Sequence, residues 1–225
     1  MNASLIIRSG LWLAGMAALL FIPAGTLRWP AAWIFLLEMC VWTFAMSAWL
    51  ARHDPQLLAE RIKPLNQPGQ KRWDKILITG AAVLWAAWLG FMPLDAVRFR
   101  WSEVPDWLQG VGVIGLLACA YLVFLTFREN TYAAPVVRIQ RERGHKVVTT
   151  GPYRYVRHPM YAGAAFFFLS TPLLLGSWWG LALAPLMIGV LAGRAVLEER
   201  TLAVELEGYA DYAARVRHRL IPRVW

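Results

Sequence analysis

The sequence predicts an all-α integral membrane protein with about six membrane helices, and three observations support this fold class. Of the 225 residues, 58% are hydrophobic and the mean hydropathy is +0.44, which is more apolar than a water-soluble domain of this length. Several stretches long enough to cross a bilayer contain at most one formal charge. The 13 tryptophans suit the two membrane–water interfaces.

Four membrane helices are predicted within residues 1–127, at positions 9–27, 29–50, 76–94 and 107–127. The first is interpreted as a retained span rather than a signal peptide, since no small-residue cleavage site follows it. Glu38 interrupts the second. An acid there is costly unless it faces protein or is protonated, so it is a candidate for contact with substrate, and a packed structural acid is equally compatible. The loop at 51–75 contains three prolines, which leaves room for a short interfacial helix at 54–61.

Residues 128–225 are predicted to form a catalytic half. A basic loop at 128–157 contains two extended pieces around Gly144 that are compatible with a small hairpin. Positions 159–193 then carry no formal charge. A single helix of that length would overshoot the hydrocarbon core, so Gly176-Ser177 is predicted to be the turn of a tight helical hairpin. The last helix continues into an amphipathic tail.

The distribution of Lys and Arg predicts the orientation. The segments 51–75, 128–157 and 199–225 hold six, seven and five of these residues, whereas 25–30 and 95–106 hold one and two. By the positive-inside rule, the first three segments and both termini face the cytoplasm. This rule also accounts for the net charge of +9 without a nucleic-acid partner.

Metal and disulfide chemistry are not indicated. Cys40 and Cys119 both lie within apolar stretches, which is typical of buried thiols. The four histidines lack the spacing of metal ligands; they are His53, His145, His158 and His218.

The stretch from Gly151 to Gly163 concentrates polar side chains at the start of the charge-free run. Pro159 suits the first turn of a helix, and the residue before a proline prefers extended geometry. His158 is therefore expected just outside a helix N-terminus, which favours anions. The alternative is that His158 and the arginines before it only reach lipid headgroups.

This stretch resembles the bacterial isoprenylcysteine carboxyl methyltransferase-like family of integral membrane methyltransferases, whose wider relatives are phospholipid N-methyltransferases. The resemblance covers roughly the C-terminal half, whereas the N-terminal half resembles the family only in being hydrophobic. The further matching segments are 129–135, 144–150, 198–202, 208–212 and 217–222.

The resemblance implies S-adenosylmethionine as methyl donor, with S-adenosylhomocysteine as product. The cofactor-binding residues that it implies or that the chemistry suggests are Val147, Val148, Tyr153, Arg157, His158, Pro159, Tyr161, Glu198 and Glu199. The catalytic candidates are Arg194, Glu38 and Glu199. Against these roles, Arg194 and Glu198 could form a simple intrahelical pair, and Tyr209 and Tyr212 are interpreted as packing residues.

The function predicted is S-adenosylmethionine-dependent methyl transfer to a lipophilic acceptor at the membrane–cytoplasm boundary, in a multi-pass protein of the bacterial inner membrane. Gly163, Ala164 and Ala165 are expected to leave room for the acceptor's tail. The alternatives are a phospholipid N-methyltransferase, an NADPH-dependent reductase of the sterol type, and a non-catalytic scaffold. Such reductases tend to show Arg-His-Pro-Asn-Tyr, from which Met160 departs.

Overall fold

A computed structural model describes residues 3–225, and the regular secondary structure within that range is entirely helical, which confirms the predicted all-α class. The helices are α1 Ala3–Ala24, α2 Pro30–His53, α3 Pro55–Arg61, α4 Arg72–Pro93, α5 Asp106–Glu129, α6 Pro159–Leu175, α7 Trp178–Glu205 and α8 Tyr209–Arg215. A π-helical segment, Leu94–Arg98, extends α4, and two 3₁₀ turns lie at Arg141–Arg143 and Gly151–Arg154.

Five of these helices are long and apolar enough to cross a membrane: α1 from Leu5, α2, α4 with its extension to Arg98, α5 and α7. The sixth apolar helix, α6, has 17 residues, or about 25 Å, which is shorter than a ~30 Å hydrocarbon core. Its partner α7 has 28 residues. The additional turns of α7 carry Arg194, Glu198 and Glu199 beyond the start of α6, into the polar end of the bundle.

The predicted hairpin turn is confirmed at Gly176-Ser177. Gly176 ends α6 with a left-handed φ of 81°, a conformation that favours glycine. The Ser177 hydroxyl accepts a hydrogen bond from the Gly180 backbone N–H at 2.8 Å and donates one to the buried carboxylate of Asp95 at 2.6 Å. Asp95 also accepts from Ser102 at 2.7 Å. The turn is thus fixed to the connection between α4 and α5.

Helices α5 and α6 pack with their backbones in close contact. A Cβ atom on Gly112 would lie 2.5 Å from the backbone nitrogen of Leu174, and one on Gly115 would lie 2.0 Å from the Ser170 hydroxyl. Gly163 also belongs to this contact, since its Cβ would lie 3.2 Å from Val123. The expectation that Gly163 leaves room for a tail is therefore wrong, because the space beside it is filled by helix packing.

The loop between α5 and α6 does not form the hairpin that its two extended pieces suggested. The predicted turn is present, with Gly144 at a φ of 62°, but no strand is assigned from Asn130 to His158. Instead, the Val137 N–H donates to the carboxylate of Asp74 in α4 at 2.8 Å. This hydrogen bond to a side chain takes the place of the backbone hydrogen bonds that would join the two extended pieces in a hairpin.

We predict that the bundle end holding α3 and the loop at 130–158 faces the cytoplasm. Cysteines introduced by Arg141→Cys and Glu103→Cys lie at opposite ends and are both exposed. In right-side-out vesicles, a membrane-impermeant maleimide should label the cysteine at 103 and not that at 141. Inside-out vesicles should give the reverse, and the unsubstituted protein gives the background from Cys40 and Cys119. Labelling at 141 from the outside would contradict this orientation.

The contact between α5 and α6 predicts opposite effects for two glycines of one helix. Gly112→Ala should lower the free energy of unfolding by about 1–3 kcal/mol, since the new Cβ meets backbone atoms. Gly110 has open space around its Cβ position, so Gly110→Ala should be neutral or stabilise by up to ~1 kcal/mol. Thermal unfolding in detergent measures both, and equal effects would argue against the close contact.

Candidate active site

A cleft of about 100 Å³, partly open to solvent, lies at the bundle end opposite Asp95. The α5–α6 loop, the start of α6, α7 and α8 form its walls. The sequence-predicted residues that line it are Val147, Val148, Tyr153, Arg157, His158, Pro159, Tyr161, Arg194 and Glu198. The structure therefore brings together most of the candidates, although they come from segments up to about 50 residues apart.

The entry into α6 has the geometry that its sequence predicts. Helix α6 begins at Pro159, and His158 precedes it in a non-helical conformation. The backbone N–H groups of Arg157 and His158 donate to the carbonyl oxygens of His218 and Arg219, both at 2.9 Å. The His158 ring stacks on Tyr161, with a centroid separation of 5.3 Å and an interplanar angle of 6°. Both rings are buried, so this corner of the cleft is preformed.

Glu199 lies behind this corner and does not line the cleft. Its carboxylate accepts from Arg157 at 2.6 and 3.2 Å, from Arg219 at 2.9 Å, and contacts His158 Nε2 at 3.1 Å. Two guanidinium groups and a histidine therefore already contact the carboxylate that we expected to bind cofactor. Its present partners give Glu199 the role of holding α6, α7 and the C-terminal tail together.

Glu198, the adjacent acid, faces the cleft instead. Successive helical residues differ by about 100° in direction, so neighbouring acids on α7 meet different surroundings. Glu198 accepts a hydrogen bond from the Tyr161 hydroxyl at 2.6 Å. It forms no ion pair with any cation in residues 3–225, and it is the acid available to a ligand.

Arg194 does not form the simple intrahelical pair with Glu198. Its Nε donates to Asp74 Oδ1 at 2.9 Å and its Nη2 donates to the Pro135 carbonyl at 2.7 Å. The guanidinium also lies 5.7 Å from the centre of the Tyr161 ring. These contacts leave Nη1 without a partner in the described part of the chain, at a residue that lines the cleft.

Asp74 is the functional-site residue that sequence reasoning missed. It is fully buried, and besides Arg194 it accepts from Gln70 and Val137, both at 2.8 Å. One carboxylate thus fixes a cleft arginine and the cleft wall at once. Its only sequence signal is an acid in the first turn of a helix, a common feature that stabilises helix N-termini.

The loop wall is held by its own polar contacts. Arg143 donates to the Thr131 carbonyl at 2.9 Å and to its hydroxyl at 2.7 Å. His145, which lines the cleft, stacks on Tyr132 at a centroid distance of 4.4 Å. Desolvation by burial lowers the pKa of His145 to about 4, and the nearby Arg143 acts in the same direction. The ring is therefore neutral at physiological pH and adds no charge to the cleft.

Glu38 is the predicted catalytic residue that the structure does not bring to the others. It lies within the membrane helix α2 and is absent from the cleft lining. Its Oε2 atom is buried and has no hydrogen-bond partner in residues 3–225. A catalytic role for Glu38 has no geometric support at this cleft.

The carboxylate of Glu199 should be needed for the stability of the folded protein. Glu199→Ala leaves buried Arg157 and half-buried Arg219 without their anion, so we expect a loss of about 3–5 kcal/mol in unfolding free energy. Glu205→Ala on the same helix removes the more exposed pair with Lys71 and should cost less than ~1 kcal/mol. Thermal unfolding of the detergent-solubilised variants tests this, and a Glu199→Ala protein as stable as Glu205→Ala would contradict the role.

Comparison with known proteins agrees with this architecture. Residues 108–206 match the model of the phospholipid methyltransferase family. A segment of 83 residues is 32% identical to the Protein-S-isoprenylcysteine O-methyltransferase of Schizosaccharomyces pombe, covering 36% of this chain and 35% of that protein. The match thus spans about a third of the length of this curated relative. The resemblance noted in the sequence is confirmed: residues 108–206, from α5 to the end of α7, are similar to the phospholipid methyltransferase family, and part of the chain is similar to an isoprenylcysteine O-methyltransferase.

Proposed function

We propose that this multi-pass membrane protein is an S-adenosylmethionine-dependent methyltransferase that acts on a lipophilic acceptor at the membrane–cytoplasm boundary. The observation that carries the proposal is the placement of Glu198 and Arg194 in one cleft with the His158–Tyr161 corner. These residues lie within the segment that matches the methyltransferase family.

The cleft residues suit the different parts of this cofactor. The open carboxylate of Glu198 suits an ammonium group or ribose hydroxyls. The guanidinium of Arg194 suits a carboxylate. Val147, Leu202 and Leu206 provide apolar walls for a nucleoside base. When bound, the cofactor supplies a methyl group attached to a positively charged sulfur.

Positioning is the main task left to the protein's own residues. The contacts of Arg194 with Asp74 and Pro135 fix its direction before any ligand binds. The bond between Tyr161 and Glu198 fixes the acid in the same way. Such preorganisation reduces the entropy cost of aligning two reactants, which contributes up to ~7–11 kcal/mol in favourable cases.

A lipophilic acceptor is supported by the position of Met160. This residue lines the cleft and also packs against an apolar cluster that includes Met46, Trp42 and Trp49 of membrane helix α2. The cleft therefore borders apolar side chains within the membrane. Among acceptors with an apolar tail, we place an isoprenylcysteine-type carboxyl group ahead of an aminophospholipid, because part of the chain is similar to a Protein-S-isoprenylcysteine O-methyltransferase.

Calorimetric titration of the detergent-solubilised protein tests the proposal. We expect S-adenosylhomocysteine to bind and NADPH not to bind. Glu198→Gln should weaken S-adenosylhomocysteine binding by about tenfold or more, since a charge-assisted hydrogen bond contributes about 1.5–3 kcal/mol. The control is Glu205→Gln, whose partner Lys71 lies outside the cleft.

The alternatives give different results in the same titration. Binding of NADPH without S-adenosylhomocysteine would favour a reductase, and binding of neither would favour a non-catalytic scaffold. Unchanged affinity in Glu198→Gln, with binding retained in the wild type, would remove Glu198 from the cofactor site.

A further inference from the structure

Tyr209 combines two properties that a packing residue does not need. Its side chain lines the cleft, and it is only 5% exposed. Its hydroxyl group is buried and has no hydrogen-bond partner in residues 3–225. Buried polar groups in folded proteins are almost always hydrogen-bonded, so each exception calls for a missing partner.

Tyr212, on the same short helix α8, is a buried tyrosine whose hydroxyl does have a hydrogen-bond partner. It is 2% exposed, and its hydroxyl donates to the Tyr153 carbonyl at 2.9 Å. The two rings contact each other edge to face, with centroids 5.8 Å apart. The two tyrosines lie on the same helix, are buried to a similar extent and pack against each other. They differ in that the described part of the protein supplies a hydrogen-bond partner for the Tyr212 hydroxyl and not for the Tyr209 hydroxyl. The sequence interpretation of both residues as packing residues therefore fits Tyr212 better than Tyr209.

The surroundings of Tyr209 indicate which kind of ligand would supply the partner. The ring belongs to an apolar cluster with Leu206 and Tyr212, against which Val147, Leu202 and Tyr153 pack. All six residues line the cleft. Of the charged side chains that line the cleft, Arg194 and Glu198 come from the preceding turns of α7, and the exposed Lys146 comes from the α5–α6 loop. A cleft with one apolar end and one charged end fits a ligand that has a planar base and a charged portion.

The hydroxyl of Tyr209 is a hydrogen-bond donor in this environment. Burial raises the pKa of Tyr209 above its usual value, and the carboxylates of Glu199 and Glu198 act in the same direction. The group therefore stays protonated throughout the physiological range. It can donate to a ring nitrogen or ribose oxygen, since both are acceptors.

We propose that Tyr209 is a ligand-binding residue whose hydroxyl donates a hydrogen bond to the nucleoside portion of the cofactor. The inference rests on the proposed function and goes beyond it, since it assigns the apolar end of the cleft to the nucleoside and the charged end to the amino-acid portion. In this arrangement the ligand, rather than the protein, supplies the hydrogen-bond partner of the buried Tyr209 hydroxyl.

The test uses the full-length protein in detergent and two ligands. S-adenosylhomocysteine contains both portions, whereas 5′-methylthioadenosine keeps the nucleoside and lacks the amino-acid portion. Tyr209→Phe should weaken the binding of both ligands by about three- to tenfold, as expected for loss of one hydrogen bond. The affinity control is Tyr121→Phe, which removes an exposed hydroxyl on α5 outside the cleft and should leave both affinities unchanged.

Stability of the ligand-free protein provides the second measurement. Tyr209→Phe removes a hydroxyl that has no hydrogen-bond partner in residues 3–225, so its melting temperature should not fall below that of the wild type. Tyr212→Phe removes the hydroxyl that donates to the Tyr153 carbonyl, and the loss of this hydrogen bond should lower the melting temperature. This pair distinguishes a ligand-binding hydroxyl from a structural one.

Several results would overturn the inference. They are unchanged affinities in Tyr209→Phe, a loss confined to S-adenosylhomocysteine, and a melting temperature lowered as in Tyr212→Phe. If the wild-type protein binds neither ligand, the proposed function fails and this inference fails with it. If the wild type binds both and only the Tyr209 result is negative, the proposed function stands.

Discussion

A buried guanidinium group must have an anion, and Asp74 provides it for Arg194. The arginine is 7% exposed and the aspartate is completely buried, so both charges have lost most of their hydration. Breaking such a pair by removing one partner is strongly destabilising. Asp74 lies in α4, outside the matched segment 108–206, yet it also holds Val137 in the cleft wall. Helix α4 therefore helps to determine the shape of the cleft and does more than anchor it in the membrane.

Hydrophobic patterning was sufficient to predict the helices, because charge-free runs and turn residues report directly on membrane spans. The turn at Gly176-Ser177 could be predicted for the same reason. The roles of Glu198 and Glu199 could not be separated, since adjacent identical residues differ only in which neighbours their helix face meets. Asp74 could not be found because its partner is 120 residues away. The position of Glu38 relative to the cleft could not be predicted either, because a charge in an apolar run indicates a cost but not where the side chain points.

The adjacent acids Glu198 and Glu199 of α7 have different surroundings. Glu199 is neutralised by Arg157 and Arg219, and the backbone of the C-terminal tail pairs with residues 157 and 158. These contacts close the back of the cleft. Glu198 is left with a single neutral donor, Tyr161. The charges that form the wall of the cleft are thus paired with one another, which makes the wall rigid. The carboxylate of Glu198 nevertheless has no ion-pair partner in residues 3–225.

The close contact between α5 and α6 restricts where the bundle can open. Gly112 and Gly115 bring the two helices together without intervening side chains, so separating them would expose backbone to lipid. Helix α2 meets α5 through large side chains such as Trp49, which packs edge-on against Phe124, and Met46 lies in the apolar cluster beside them. Rotamer changes there cost little compared with helix separation. The contact between α2 and α5 can therefore yield more easily than the contact between α5 and α6.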